Sequence, residues 1–231
     1  MGLIVALTIY FLMTFIAYFT GSCVFAYAAY KDHRPMFAIA KVLLLIVVCS
    51  ILGSKIFHVL FEAPGHIAPD GTLIRSLWEL MQADPWHAFR LNDPGYVFYG
   101  GLVGALFVAL AYPGYVNYTA KALALGLSIG RLGCFWTGCC YGLAEIPVQL
   151  MESGFMLWLF FKIDRLDDLL IRYSLWRFGV EFLRADESRG IWALGLSTSQ
   201  WISLGILGVL AGRALTSAFK SSQMPQTRIQ T

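Results

Sequence analysis

The chain has 231 residues, 58% hydrophobic, 15% aromatic and 13% charged, with mean hydropathy +0.66 and a formal net charge of +3. Soluble domains hold about 45–50% apolar and about 25% charged residues, so this composition excludes a single water-surrounded core and requires lipid as solvent. No basic block with interleaved aromatics is present, which excludes nucleic acid as a partner.

A spanning helix needs about 20 mainly apolar residues. The first candidate is Leu3–Ala29, too long for a signal-peptide core and without a positive flank, so it reads as an uncleaved span. KDHRP (31–35) ends it with charge and proline. Met36–Phe61 follows. Within it Lys41 lies close enough to the helix end to snorkel, and Lys55 is followed one turn later by His58. The segment at about 62–96 is the largest piece outside the membrane. Its stretch Leu73–Met81 has helical apolar spacing and reads either as an interfacial helix, with Trp78 and Trp86 at headgroup depth, or as an ordinary loop helix. Val97–Tyr115, Ala120–Phe135, Ile146–Phe161, Leu169–Leu183 and Ile191–Leu215 complete the series. The expected fold is an all-α integral membrane protein of about seven transmembrane helices over 1–216. A polar cytoplasmic tail, expected to be disordered, follows over 217–231.

Orientation follows the Lys/Arg bias of short loops. Lys31 and Arg34 follow the first span, Lys121 the third, and Lys162 and Arg165 the fifth, while Arg213, Lys220 and Arg228 lie at the tail. The 62–96 segment has only Arg75 and Arg90 against five acids. The alternation predicts an outside N-terminus and a cytoplasmic C-terminus, a parity that seven spans satisfy. The loop from Arg184 to Arg189 is a mild exception.

Ionisable side chains inside spans are costly and mark function by default. Arg131 follows Gly130, and Glu152 lies three residues after Gln149 on one helix face. In RFGVEFLR, Arg177, Glu181 and Arg184 stand at i, i+4 and i+7, the spacing of one helix face. Two readings stand: an ion-pair network that locks helices together, or an anion site. Three arginines outnumber the two acids, and the planar guanidinium fork suits phosphate. The anion most available in a membrane is a phospholipid headgroup. The small residues of YGGLVG (99–104) and GRLG (130–133) suit either close helix packing or close backbone approach to a ligand.

Cys23 and Cys49 lie in apolar runs and read as lipid- or core-facing side chains. As a group of three, Cys134, Cys139 and Cys140 do not fit the usual paired zinc spacing, and no histidine lies nearby in sequence. No metal and no cofactor are therefore expected. A disulfide closed by a turn at Thr137–Gly138, a reactive thiolate beside Arg131, and plain packing all remain open.

GRLGCFWTG resembles the signature G-R-[IL]-G-N-F-x-N-G-E of the prolipoprotein diacylglyceryl transferases. GSKIFHVLF, DPGYVFYGGLVG, IPVQLMES, RYSLWRFGVEFLRADE and LGLSTSQWISL resemble further family stretches in the same order, from about Gly53 to Leu204. The resemblance implies a multi-pass enzyme of the bacterial cytoplasmic (inner) membrane. That enzyme would move the diacylglyceryl group of phosphatidylglycerol to the lipobox cysteine thiol of a preprolipoprotein signal peptide, releasing glycerol phosphate. It implies catalytic roles for Arg131, Tyr99, Arg177 and Glu181. Substrate binding is implied for Gly100, Gly101, Gly130, Gly133, Cys134, Cys139, Gln149, Glu152 and Arg184. The chain departs from the pattern at Tyr99, where the family has histidine, at Cys134 and Thr137, where it has asparagines, and at Cys139, where it has glutamate.

Overall fold

The computed structural model describes residues 3–61, 78–79, 82, 98–185 and 193–223. Seven α-helices of 14 residues or more run through them: α1 (Leu3–Lys31), α2 (Met36–Phe61), α3 (Phe98–Ala111), α4 (Tyr118–Thr137), α5 (Val148–Lys162), α6 (Leu166–Val180) and α7 (Thr198–Gln223). The stretches Thr8–Lys31, Met36–Leu60 and Thr198–Phe219 are long and apolar enough to cross a membrane, and Tyr99–Ala111 is a shorter apolar helix. At 1.5 Å per residue, α3, with its 14 residues, rises only about 21 Å against a hydrocarbon core of about 30 Å. The expected loop helix Leu73–Met81 and Trp86 lie outside the described residues, apart from Trp78 and Glu79.

The chain forms two compact units, one of Met1–Cys23 with Ala120–Thr231 and one of Val24–Thr119. In the first, α1 and α4 meet through small residues. A Cβ built on Gly21 would stand 3.0 Å from the Ala122 carbonyl oxygen, and one on Gly126 3.3 Å from that of Ala17. Lipid supplies no hydrophobic drive between helices, so close backbone approach of this kind carries the association. Ser128 on α4 and Ser153 on α5 clasp each other, each hydroxyl donating to the other's carbonyl at 3.0 and 2.8 Å. The buried face of α6 runs Leu166, Leu169, Leu170, Tyr173, Ser174, Arg177 and Val180. It is an apolar stripe at helical spacing with one cation set into it.

Among the boundaries that differ from the expected spans, three have a clear local reason. α6 stops at Val180, Glu181–Leu183 is a 3-10 turn, and Arg184 is extended at φ −83, ψ 144. Arg177 and Glu181 are thus one turn apart, but Arg184 lies beyond the helix. Its backbone pairs with Gly142 and the Ala185 amide donates to the Tyr141 carbonyl at 3.1 Å. α7 begins at Thr198 rather than Ile191, because Ser197 and Gln200 form a reciprocal cap. The Ser197 amide donates to Gln200 Oε1 at 2.9 Å and the Gln200 amide to Ser197 Oγ at 3.3 Å. At its other end α7 continues through Gln223, past the expected boundary at 216, since the first helix breaker downstream is Pro225.

In the second unit α2 and α3 pack backbone to backbone. A Cβ on Gly53, Gly100 or Gly104 would collide with a facing carbonyl, of Gly100, Gly53 and Cys49 respectively, and one on Gly101 would stand 2.6 Å from Ser54 Oγ. At the helix ends, Tyr118 donates to Asp32 at 2.8 Å, Arg34 donates to the Gly114 carbonyl at 3.0 Å, and the Arg34 guanidinium covers the Tyr115 ring at 5.3 Å. Lys41 reaches the Tyr112 ring, 5.6 Å from its centroid, as a side chain bending to the helix end would.

Candidate functional site

Three helices of the first unit and the 3-10 turn after α6 bring charged side chains into one buried row. Arg131 of α4 pairs with Glu152 of α5 at 2.9 Å, and Glu152 also faces Arg177 of α6 at 3.4 Å. Arg177 pairs with Glu181 at 2.8 Å, and Glu181 faces Arg184 at 3.4 Å. The order is cation, anion, cation, anion, cation. Among the described residues the row holds three guanidinium groups and two carboxylates.

Supporting hydrogen bonds fix the middle of this row. Tyr173 donates its hydroxyl to Glu152 Oε1 at 2.7 Å, and Arg177 Nη2 donates to Ser199 Oγ at 3.2 Å. Glu152 and Glu181 side chains are 1% exposed and Arg177 3%, whereas Arg131 is 14% exposed. Arg177 is therefore held by three acceptors on three elements. Arg131, the most open member, makes one ion pair among the described residues. Removing one partner from a buried pair typically costs about 3–5 kcal/mol, because the remaining charge stays desolvated. The row is most heavily bonded in its middle and least buried at Arg131.

The other expected site residues divide. Gln149 shares the buried face of α5 with Glu152 and donates to the Cys139 carbonyl at 2.6 Å. Gly133 packs on α1, where an added Cβ would stand 2.9 Å from Met13 Cβ, while a Cβ on Gly130 would meet nothing within 4 Å. Gly133 thus serves packing, and Gly130 leaves space beside Arg131. Tyr99 is half-buried in α3, and Gly100 and Gly101 form the contact with α2 in the second unit. Tyr173 and Ser199 were not anticipated. Tyr173 could have been found as the aromatic one turn before Arg177. The capping box Ser197–Gln200 would have set the start of α7, and with it the inward place of Ser199.

The end of α4 is a Schellman turn. The Gly138 amide donates to the Phe135 carbonyl at 3.2 Å and the Cys139 amide to that of Cys134 at 3.1 Å, with Gly138 at φ +73. This 6→1 closure brings the residue after the cap against the residue five before it, here Cys139 against Cys134. Cys140 at φ +59 then turns back, and the three Sγ atoms lie within 4.8 Å of one another. All five cysteines are free thiols, so the anticipated turn at Thr137–Gly138 forms without a disulfide. Beyond the helix end, the Cys139 thiol is held well below its usual range, first by hydrogen bonds from the Cys134 and Cys140 thiols and then by one from Thr137, against the opposing cost of burial.

A family model described as prolipoprotein diacylglyceryl transferase matches residues 2–216. A phosphatidylglycerol–prolipoprotein diacylglyceryl transferase 2 of Clostridium perfringens is 32% identical over 203 residues, covering 71% of this chain and 73% of its own. Transferases of the corresponding name from Bordetella bronchiseptica and Bordetella avium are 30% and 31% identical, covering 71% and 76% of this chain and 71% and 75% of their own.

Proposed function

The chain belongs to the prolipoprotein diacylglyceryl transferase family, and from that premise we propose that it transfers the diacylglyceryl group of phosphatidylglycerol to the lipobox cysteine thiol of a preprolipoprotein. The observation that carries this reading is the buried row of arginines and carboxylates itself, with Arg131 as its least buried member. A phosphodiester is the anion that a guanidinium fork at membrane depth fits.

In the proposed reaction the acceptor sulfur, as thiolate, attacks the glyceryl carbon bonded to the phosphate oxygen. A C–S bond forms, the C–O bond breaks, and glycerol phosphate leaves with the bonding pair while the thiol proton goes to a base or to water. Arg131 neutralises the phosphodiester and stabilises the charge that grows on the leaving oxygen. Glu152 holds Arg131, and Arg177 fixes Glu152 from behind. Glu181 and Ser199 position Arg177. Tyr99 stands at the family's histidine position, where the resemblance implies a catalytic role.

With three helices long and apolar enough to cross a membrane and the shorter α3 to α6 between them, the reading is of a multi-pass protein of the bacterial inner membrane. It has about seven passes, an outside N-terminus and a cytoplasmic C-terminus, following the Lys/Arg alternation. The test is transfer by purified protein, with phosphatidylglycerol and a synthetic lipobox peptide, read by mass spectrometry. The peptide gains one diacylglyceryl group on its cysteine, and the gain disappears with phosphatidylcholine as donor or when the cysteine is serine. Folded protein that leaves the peptide unchanged refutes the reading. A second reading, the same donor with a non-protein acceptor, is favoured by Tyr99, Cys134 and Cys139 standing where the family has other residues. Lipid profiles of cells with and without the gene distinguish it.

A further inference from the structure

The three thiols at the end of α4 lie next to the charged row but have no part in it. Cys134, Cys139 and Cys140 converge with their Sγ atoms within 4.8 Å of one another. Three features of the chain build this arrangement. The Schellman turn around Gly138 closes Cys139 onto Cys134. Cys140 adopts φ +59, a left-handed conformation that costs a residue with a Cβ about 1–2 kcal/mol, and brings the third sulfur to the other two. Gln149, 4% exposed on α5, anchors the Cys139 carbonyl at 2.6 Å, so the turn is held from a second helix.

Packing explains the first contact but not the third thiol. The Schellman turn ordinarily brings two side chains together, and nothing in it requires a third at a strained position. A disulfide serves two sulfurs and leaves one over. A thiophilic metal ion uses all three. With Zn–S of about 2.3 Å, sulfurs of a tetrahedral zinc centre lie about 3.8 Å apart, so the free thiols are at most about 1 Å wider than a bound set. The Cys134–Cys139 spacing is itself C-x4-C, inside the range of zinc pairs.

We propose that Cys134, Cys139 and Cys140 form a three-thiolate site for a soft d10 metal ion, zinc(II) or copper(I). Thiolate ligands select these ions over hard cations. Three thiolates and a zinc ion sum to one negative charge, and the Arg131 guanidinium lies within electrostatic reach of Cys134 and Cys140. Three protein ligands leave a fourth position for water or an incoming ligand on zinc; copper(I) needs none. The bound ion would staple the segment 138–142 in place, and with it Gly142, whose backbone pairs with Arg184.

The test uses the full chain purified in detergent under reducing conditions. It is loaded separately with zinc(II) and with copper(I), desalted, and assayed for metal content and for thiols open to alkylation. The expected result is about one ion per chain with one or both metals, and protection of Cys134, Cys139 and Cys140 while Cys23 and Cys49 still react. A chelator restores all five. The C23S/C49S variant retains the ion and the C134S/C139S/C140S variant loses it. Retention of zinc alone or of copper alone identifies the ion. The proposal is overturned if reduced protein keeps neither ion, if the triple variant keeps it, or if the three thiols alkylate equally fast with and without metal. Protein that loses two thiols to a disulfide and then binds no metal once reduced also overturns it.

Discussion

The α2–α3 contact and the row from Arg131 to Arg184 solve opposite problems in a medium of low dielectric. The first removes side chains until backbones touch, as Gly53, Gly100 and Gly104 allow nothing larger. The second puts five formal charges on four neighbouring elements and buries them almost completely. Packing alone would be better served by the first device, since buried ion pairs rarely stabilise more than apolar replacements of the same shape. A chain that uses glycine for cohesion in one unit has no structural need for three arginines in the other. In the proposed function the row serves chemistry rather than cohesion.

The sharpest way to break the comparison is at its hinge, Glu152. Glu152→Gln leaves Arg131 and Arg177 short of an anion, and we expect a loss of about 3–5 kcal/mol in stability together with loss of transfer. Thermal unfolding and the peptide assay read the two effects; near-wild-type values in both would reduce the row to ornament. Arg131→Ala is expected to lower kcat/KM by about 100- to 1,000-fold while the protein still folds, the scale for removing one donor from a developing oxyanion.

The glycine interface answers differently. Gly104→Ala forces apart two backbones and should cost about 1–3 kcal/mol, lowering the unfolding temperature and leaving KM for phosphatidylglycerol unchanged in the protein that remains folded. Smaller still is Gln200→Ala, which removes half of the capping box and should cost about 1 kcal/mol, of the order of a lost cap. It should also lower kcat modestly, since α7 carries Ser199 against Arg177.

Much of this contrast was legible in the chain itself. Arg131, Glu152, Arg177 and Glu181 stand out because a charge in an apolar run is rare, and Gln149 and Glu152 share a face at i, i+3 spacing. Arg184 was read into the same helix because periodicity knows nothing of the Gly142 pairing that pulls it out. The glycines of α3 looked alike in sequence whether they served packing or ligand approach, and only the facing carbonyls of α2 separate the two. The cysteines were hardest. Spacing in sequence does not show that a left-handed cap at Gly138 places the residue after it over the residue five before, so the convergence of three thiols came from the turn.

The central claim is that Arg131, the least buried cation of the row, holds the phosphodiester of the donor lipid. Binding of phosphatidylglycerol to the protein in nanodiscs of otherwise neutral lipid tests it most directly, comparing wild type with Arg131→Ala and Gly104→Ala. The account predicts that Arg131→Ala weakens binding at least about tenfold, the scale of a lost charge-assisted hydrogen bond, while the folded fraction of Gly104→Ala binds as wild type does. Equal affinity in wild type and Arg131→Ala would contradict it.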